Sequence, residues 1–156
     1  MSVPDSTDLP AGPIDLLEWS DLVYTSAFDG APIVVASAES GGYPDMSFKG
    51  SMMVWDRDHL AWWEWARGEQ IAAIARSPRV CALYRHAGTR LWLRWYGEAT
   101  VVSEGPLREA IMARTNEREL ANDPERQGVA VLMRVDRVRK GRQVIQLREG
   151  SAAASE

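Results

Sequence analysis

The sequence predicts a mainly β protein, a small antiparallel β-barrel with two or three short helices inserted between its strands. Six or seven short segments alternate apolar and polar side chains with a period of two. Turn chemistry separates them, at Ser40-Gly41-Gly42, at residues 56–59 and at residues 87–89. Neither a strand–helix alternation nor a Gly-rich fingerprint is present, which excludes a parallel nucleotide-binding sheet. With 156 residues the chain reads most simply as one domain over residues 14–150. A loose arm, residues 1–13, and a disordered tail, residues 151–156, are expected to flank it.

Residues 15–27 carry apolar positions Leu16, Leu17, Leu22, Val23 and Ala27 and read as a short helix ended at Asp29-Gly30. Residues 32–38 form a β-branched apolar strand, and the Gly-rich turn leads from it into a long strand over residues 45–55. There Met46, Phe48, Gly50, Met52 and Val54 alternate with Ser47, Lys49 and Ser51. The expectation is that the apolar set faces the core and the hydroxyl-and-ammonium stripe faces outward. A Trp-rich strand follows over residues 60–66. Gly68 then opens a helix over 69–76, stopped at Pro78, and residues 80–86 make the next strand. Residues 91–103 turn Leu91, Leu93, Trp95, Gly97, Ala99 and Val101 inward, and Trp92, Arg94, Tyr96 and Glu98 outward. Glu104-Gly105-Pro106 starts a helix over 107–120, with the proline where a missing N–H costs nothing. Residues 129–138 and 142–148 finish as a hairpin.

A formal charge of −4 excludes general nucleic-acid affinity, which needs a basic surface to release counterions. The local cluster Arg134, Arg137, Arg139, Lys140 and Arg142 reads as the flank of a strand turn. No apolar stretch approaches the ~20 residues that span a bilayer, and the N-terminus has no signal-peptide pattern. A single cysteine, Cys81, permits no internal disulfide and fits a reducing, cytoplasmic setting. The arginine- and alanine-rich composition points to a bacterial source. His59 and His86 lack nearby cysteines or paired carboxylates, so no metal site is expected. No Ser/His/Asp order or activated cysteine is evident, and no catalytic residue is assigned.

Lys49 is one of two lysines, and it stands between two hydroxyls just ahead of a strand dense in tryptophan. Of seven tryptophans, Trp55, Trp62, Trp63 and Trp65 crowd one short stretch. A lone cation beside indoles suits a ligand both anionic and flat, the shape of a flavin nucleotide; a solvated strand face is the competing reading. Gly50 favours the ligand, because a glycine inside a strand often marks a close approach. Trp63 and Trp65 read either as core or interface residues or as contacts of the flavin ring. The outward stripe Trp92, Arg94 and Tyr96 reads as a dimer contact, from which Arg90 and Trp92 could reach a partner's ligand.

The order of strand, hairpin, aromatic strand, short helix, S-P-R-V and strand resembles the pyridoxamine 5'-phosphate oxidase-like FMN-binding split-barrel family. The pieces that carry it are the turn at residues 42–44 with SFKG behind it and the D-x-D-x-L turn at 56–60. RGEQIAAIARSPRV at 67–80 and YGEATV at 96–101 complete the pattern. The resemblance implies an antiparallel split barrel that forms a homodimer, with FMN in a cleft between two barrels. It places the flavin phosphate near Ser47 and Lys49 and near Arg67, Gly68, Glu69 and Gln70. Backbone groups of Phe48, Gly50 and Ser51 would lie toward the ring. Many relatives read S-R-K where this chain has Gly68-Glu69-Gln70, which leaves Arg67 and the helix amides to meet the phosphate. The expected function is an FMN-dependent oxidoreductase with a small-molecule substrate, the isoalloxazine carrying the redox chemistry. The alternatives are a deazaflavin (F420) or haem in the same place, a non-enzymatic carrier, and a cofactor-free structural dimer.

Overall fold

The structure is a computed structural model that describes residues 10–151. Most of the expected arm and tail, residues 1–9 and 152–156, lies outside the described residues. A 3₁₀ turn at Leu17–Trp19 runs into helix α1, Ser20–Thr25. Strands β1 (Ile33–Ala38), β2 (Pro44–Lys49), β3 (Met53–Val54) and β4 (His59–Glu64) follow, then helix α2 (Glu69–Arg76). Strands β5 (Arg79–Arg85) and β6 (Trp92–Val102) precede the short helices α3 (Pro106–Arg114) and α4 (Glu117–Leu120). The chain closes with β7 (Val129–Lys140) and β8 (Gln143–Leu147).

All strand pairs are antiparallel, in the order β2-β1-β5-β6-β7-β4-β3, with β8 paired to the far half of β7. β2 and β3 therefore lie at opposite ends of the path, yet only residues 50–52 separate them in the chain. A link that short reaches roughly 10–14 Å, so the sheet must curl until its two ends meet. The ends approach without a backbone ladder between them, which makes this a split barrel. Gly12, inside the expected arm, is pinned to β8: its N–H donates to the Ile145 carbonyl at 3.0 Å, and its carbonyl accepts from Leu147 N at 2.8 Å.

The barrel core holds Ile33, Val35, Leu60, Trp62, Leu93, Trp95, Met133 and Val135. Trp19 meets Trp95 edge to face at 6.2 Å, a favoured aromatic geometry. A second cluster, Met53, Ala61, Trp63, Ile111 and Ala130, packs α3 against the other side of β4. Both faces of β4 are thus buried. Gly97 lies where β6 shifts register against β7; a Cβ there would collide with the Arg134 carbonyl oxygen.

Three expectations are corrected. The strand over residues 45–55 breaks at Gly50 into β2 and β3, which serve opposite ends of the sheet. The helix over 107–120 divides into α3 and α4, because Asn116 accepts from Glu119 N at 2.9 Å and caps a new start. The faces of residues 46–49 are reversed: Met46 is 69% and Phe48 71% exposed, whereas Lys49 is 5% exposed and Ser47 half-buried. Register dictates this, since Ser47 and Lys49 stand opposite the core residues Val35 and Ile33 of β1.

Candidate functional site

The seam of the split barrel gathers several of the candidates. Lys49 Nζ of β2 donates to Glu64 Oε2 of β4 at 2.5 Å, and Trp62 Nε1 donates to the same oxygen at 3.2 Å. Ser47 Oγ donates to Gln70 Oε1 at 2.8 Å. The Gln70 amide in turn donates to the Val35 carbonyl at 3.0 Å and to Ser37 Oγ at 3.2 Å. Ser51 Oγ donates to the Trp63 carbonyl and accepts from Trp63 N. Polar side chains therefore close the barrel where no backbone ladder does. Lys49, Gln70 and Ser51 spend their hydrogen bonds on the fold itself.

The opposite, outer surface carries a different set. Register across β2, β1, β5, β6 and β7 puts Met46, Ala36, Cys81, Tyr96 and Arg137 in one row on one face. The next row on that face is Phe48, Val34, Leu83, Arg94 and Arg139. The surface thus grades from exposed apolar side chains on β2 to arginines on β7. Trp92 shares it: the Arg94 guanidinium lies 4.6 Å from its ring centre. Arg137, Arg139 and Arg94 stand 4.1, 5.9 and 6.0 Å from the Tyr96 ring centre. Burial pushes the Cys81 thiol up from its ordinary value, against the opposing pull of Arg94 and its neighbours.

A cavity of about 760 Å³ opens on this face, with Ser37, Cys81, Tyr96, Arg134 and Arg137 among its walls. Its size falls within the ~300–1,000 Å³ of small-molecule sites. Along its edge runs a ladder of ion pairs. Glu98 lies 3.8 Å from Arg79 and 3.4 Å from Arg134; Asp136 lies 2.9 Å from Arg134 and 3.0 Å from Arg148; Arg148 lies 2.8 Å from Asp58. Its hydrogen bond from Arg148 holds the Asp58 carboxyl below the usual carboxylate range.

Sequence reasoning brought together residues that the structure separates into three places. Ser47, Lys49, Ser51, Trp63 and Gln70 are seam residues, and Gly50 packs against the Glu119 carboxylate. Phe48 and Trp92 belong to the outer face. Arg67, Gly68 and Arg90 are exposed in loops, as is Trp65, and Arg67 and Arg90 have left-handed backbones with φ of 42° and 58°. Two groups escaped sequence reasoning: Glu64 as the partner of Lys49, and Arg137 with Arg139, read there only as the flank of a turn. The signal for the first is present, because Glu64 is the one acid in the Trp-rich strand and Lys49 the one cation in the strand before it.

The turn after β3 places ligand atoms of Asp56, Asp58 and His59 within 4.8 Å of one another. They are engaged within the turn: Asp56 Oδ1 accepts from the backbone of Asp58 and His59, and His59 Nδ1 lies 2.8 Å from the same oxygen. Among the described residues no helix is long and apolar enough to cross a membrane.

Comparison with solved structures places the fold among known proteins. HupZ of Group A Streptococcus superposes with a TM-score of 0.64 at 20% identity, over 83% of this chain and 96% of that one. A pyridoxamine 5'-phosphate oxidase-related, FMN-binding protein from Nostoc punctiforme gives 0.62 at 14% identity, over 78% and 79%. A protein named F420 reductase gives 0.56 at 14% identity, over 84% and 98%. No curated protein matches the sequence. The profile of the pyridoxamine 5'-phosphate oxidase family matches residues 28–148. Spanning most of the chain, that match and the split barrel together show that this chain belongs to the pyridoxamine 5'-phosphate oxidase family.

Proposed function

We propose that this protein is a flavin-binding oxidoreductase that works as a homodimer, with FMN held between the outer faces of two barrels. The observation that carries this reading is the outer face itself. It presents exposed Met46 and Phe48 at one end, Tyr96, Trp92 and three arginines at the other, and a cofactor-sized cavity between. Exposed apolar side chains on an edge strand favour burial by a second copy. The aromatic and guanidinium groups favour a flat anion.

Fit to such a cofactor rests on the chain's own groups. The buried Nε atoms of Arg94, Arg137 and Arg139 have no hydrogen-bond partner, and among the described residues no carboxylate pairs with these guanidiniums, which favours an anion at this end of the face. A bound isoalloxazine would supply hydride or electron transfer. Phe48 and Trp92 would then bear on the ring and shut out water, while Arg90 would reach in from its loop. The seam residues Ser47, Lys49, Ser51, Trp63 and Gln70 would brace the wall behind. Substrate would be a small organic molecule that enters the same cleft.

Absorbance tests the reading. Purified protein incubated with FMN and freed of excess should keep a band near ~450 nm and oxidise reduced nicotinamide. A retained band near ~420 nm would assign a deazaflavin, in keeping with the fold shared with the F420 reductase. A second reading, a cofactor-free structural dimer, is favoured by one observation: Lys49 and Gln70 are already bonded within the seam. A colourless protein that refuses all three, FMN, deazaflavin and haem, would select it.

A further inference from the structure

Three arginines on the outer face are left without counter-charges in a chain that has acids to spare. The sequence holds 22 acidic and 18 basic residues. On the same face Arg79, Arg134 and Arg148 each meet a carboxylate. Arg94, Arg137 and Arg139 do not: among the described residues no carboxylate lies within ion-pair distance of any of them. Arg94 spends one nitrogen on the Gly141 carbonyl, at 2.9 Å. Otherwise the three guanidiniums lie against rings, Tyr96 for all and Trp92 for Arg94. All three side chains are half-buried, so solvent screens their mutual repulsion only in part.

Their position relative to the cavity gives the cluster a direction. Tyr96 and Arg137 are cavity walls, and Arg94 and Arg139 form the adjacent row. A ligand with its ring in the cavity would bring a charged end over the guanidiniums. Guanidinium forks match phosphate oxygens, and each charge-assisted pair is stronger than a neutral one. The other candidate cations are spoken for or solitary: Lys49 is paired with Glu64, and the loop at Gly68-Glu69-Gln70 offers a carboxylate where a cation would serve.

We propose that Arg137, Arg139 and Arg94 form the phosphate seat of the flavin nucleotide, in place of the loop at residues 67–70. The proposal rests on the flavin reading above, and its test separates the two. FMN and riboflavin share one ring and differ by the phosphate, so their affinity ratio reads the seat alone. Fluorescence titration of the wild type should give FMN about 10- to 100-fold tighter binding than riboflavin. In Arg137→Gln/Arg139→Gln that ratio should fall toward one, whatever the change in riboflavin affinity from the altered cavity wall, and Arg137→Lys should retain part of it. Arg67→Gln should leave the ratio intact. A preference for FMN that survives in the double variant, or that disappears in Arg67→Gln instead, overturns the seat while flavin binding stands. A double variant that turns monomeric with its FMN preference intact also overturns it, and makes the arginines contacts of a second copy. Should the wild type bind neither flavin, the flavin reading fails and inorganic pyrophosphate decides the seat. A rise in wild-type melting temperature that the folded double variant lacks supports an anion seat there; equal behaviour of the two proteins removes it.

Discussion

At the residue scale, Lys49 and Glu64 hold together two strands that no ladder joins. Lys49 is 5% and Glu64 12% exposed, and removal of one partner leaves the other as a buried, uncompensated charge. Lys49→Met should therefore cost about 3–5 kcal/mol of stability, measured by urea denaturation. Loss of flavin affinity at unchanged stability would instead put the ammonium on the ligand. Asp123 is a second buried anchor. Burial pushes its carboxyl up, but hydrogen bonds from Gly128 N, Gln127 N and Trp63 Nε1 outweigh that and hold it below the usual range. A folded-state pKa below the unfolded ~3.9 means stability that is complete above that pH and lost as pH falls through the folded value. The urea midpoint should thus drop below about pH 4, and Asp123→Asn should flatten that part of the profile. An unchanged profile would show that Asp123 does not govern acid lability.

At the element scale, strands with one face on the core were legible, and the seam was not. The alternation of β6 is as read from the sequence, because Leu93, Trp95, Gly97 and Ala99 are its buried residues and Trp92, Arg94, Tyr96 and Glu98 its half-buried ones. α2 spans the residues expected of it, fixed by Gly68 ahead and Pro78 behind. β2 misled for a physical reason: its inward positions meet the seam, where a paired lysine and a bonded serine do the work of apolar packing. Its outward Met46 and Phe48 look like core residues, yet among the described residues nothing covers them. Breaks at Gly50 and Asn116 depend on each other, as Asn116 Nδ2 donates to the Gly50 carbonyl at 2.9 Å, a contact 66 residues apart that no local pattern announces. Asn116→Ala should cost about 1–2 kcal/mol through loss of the α4 cap alone. Gly97→Ala should cost about 3 kcal/mol or prevent folding, since its Cβ meets backbone rather than a movable side chain. A well-tolerated alanine there would contradict the close approach of β6 to β7.

At the scale of the whole molecule, one sheet curls around the barrel core, and among the described residues Met46 and Phe48 of its outer face stay exposed. The apolar rows of β2, β1 and β5 suit a second copy; the aromatic and arginine end suits a flat anion. Met46→Asp with Phe48→Asp should shift a dimer to monomer in light scattering without a loss of fold, because both side chains are already outside the core. A dimer unchanged by two carboxylates would move the interface elsewhere. The most direct test weighs the intact assembly. Native mass spectrometry of the protein with FMN should show a dimer of the 17.4 kDa chain that carries flavin, with no flavin on the monomer. A monomer that holds flavin by itself, or a dimer that holds none at any concentration, would contradict the account.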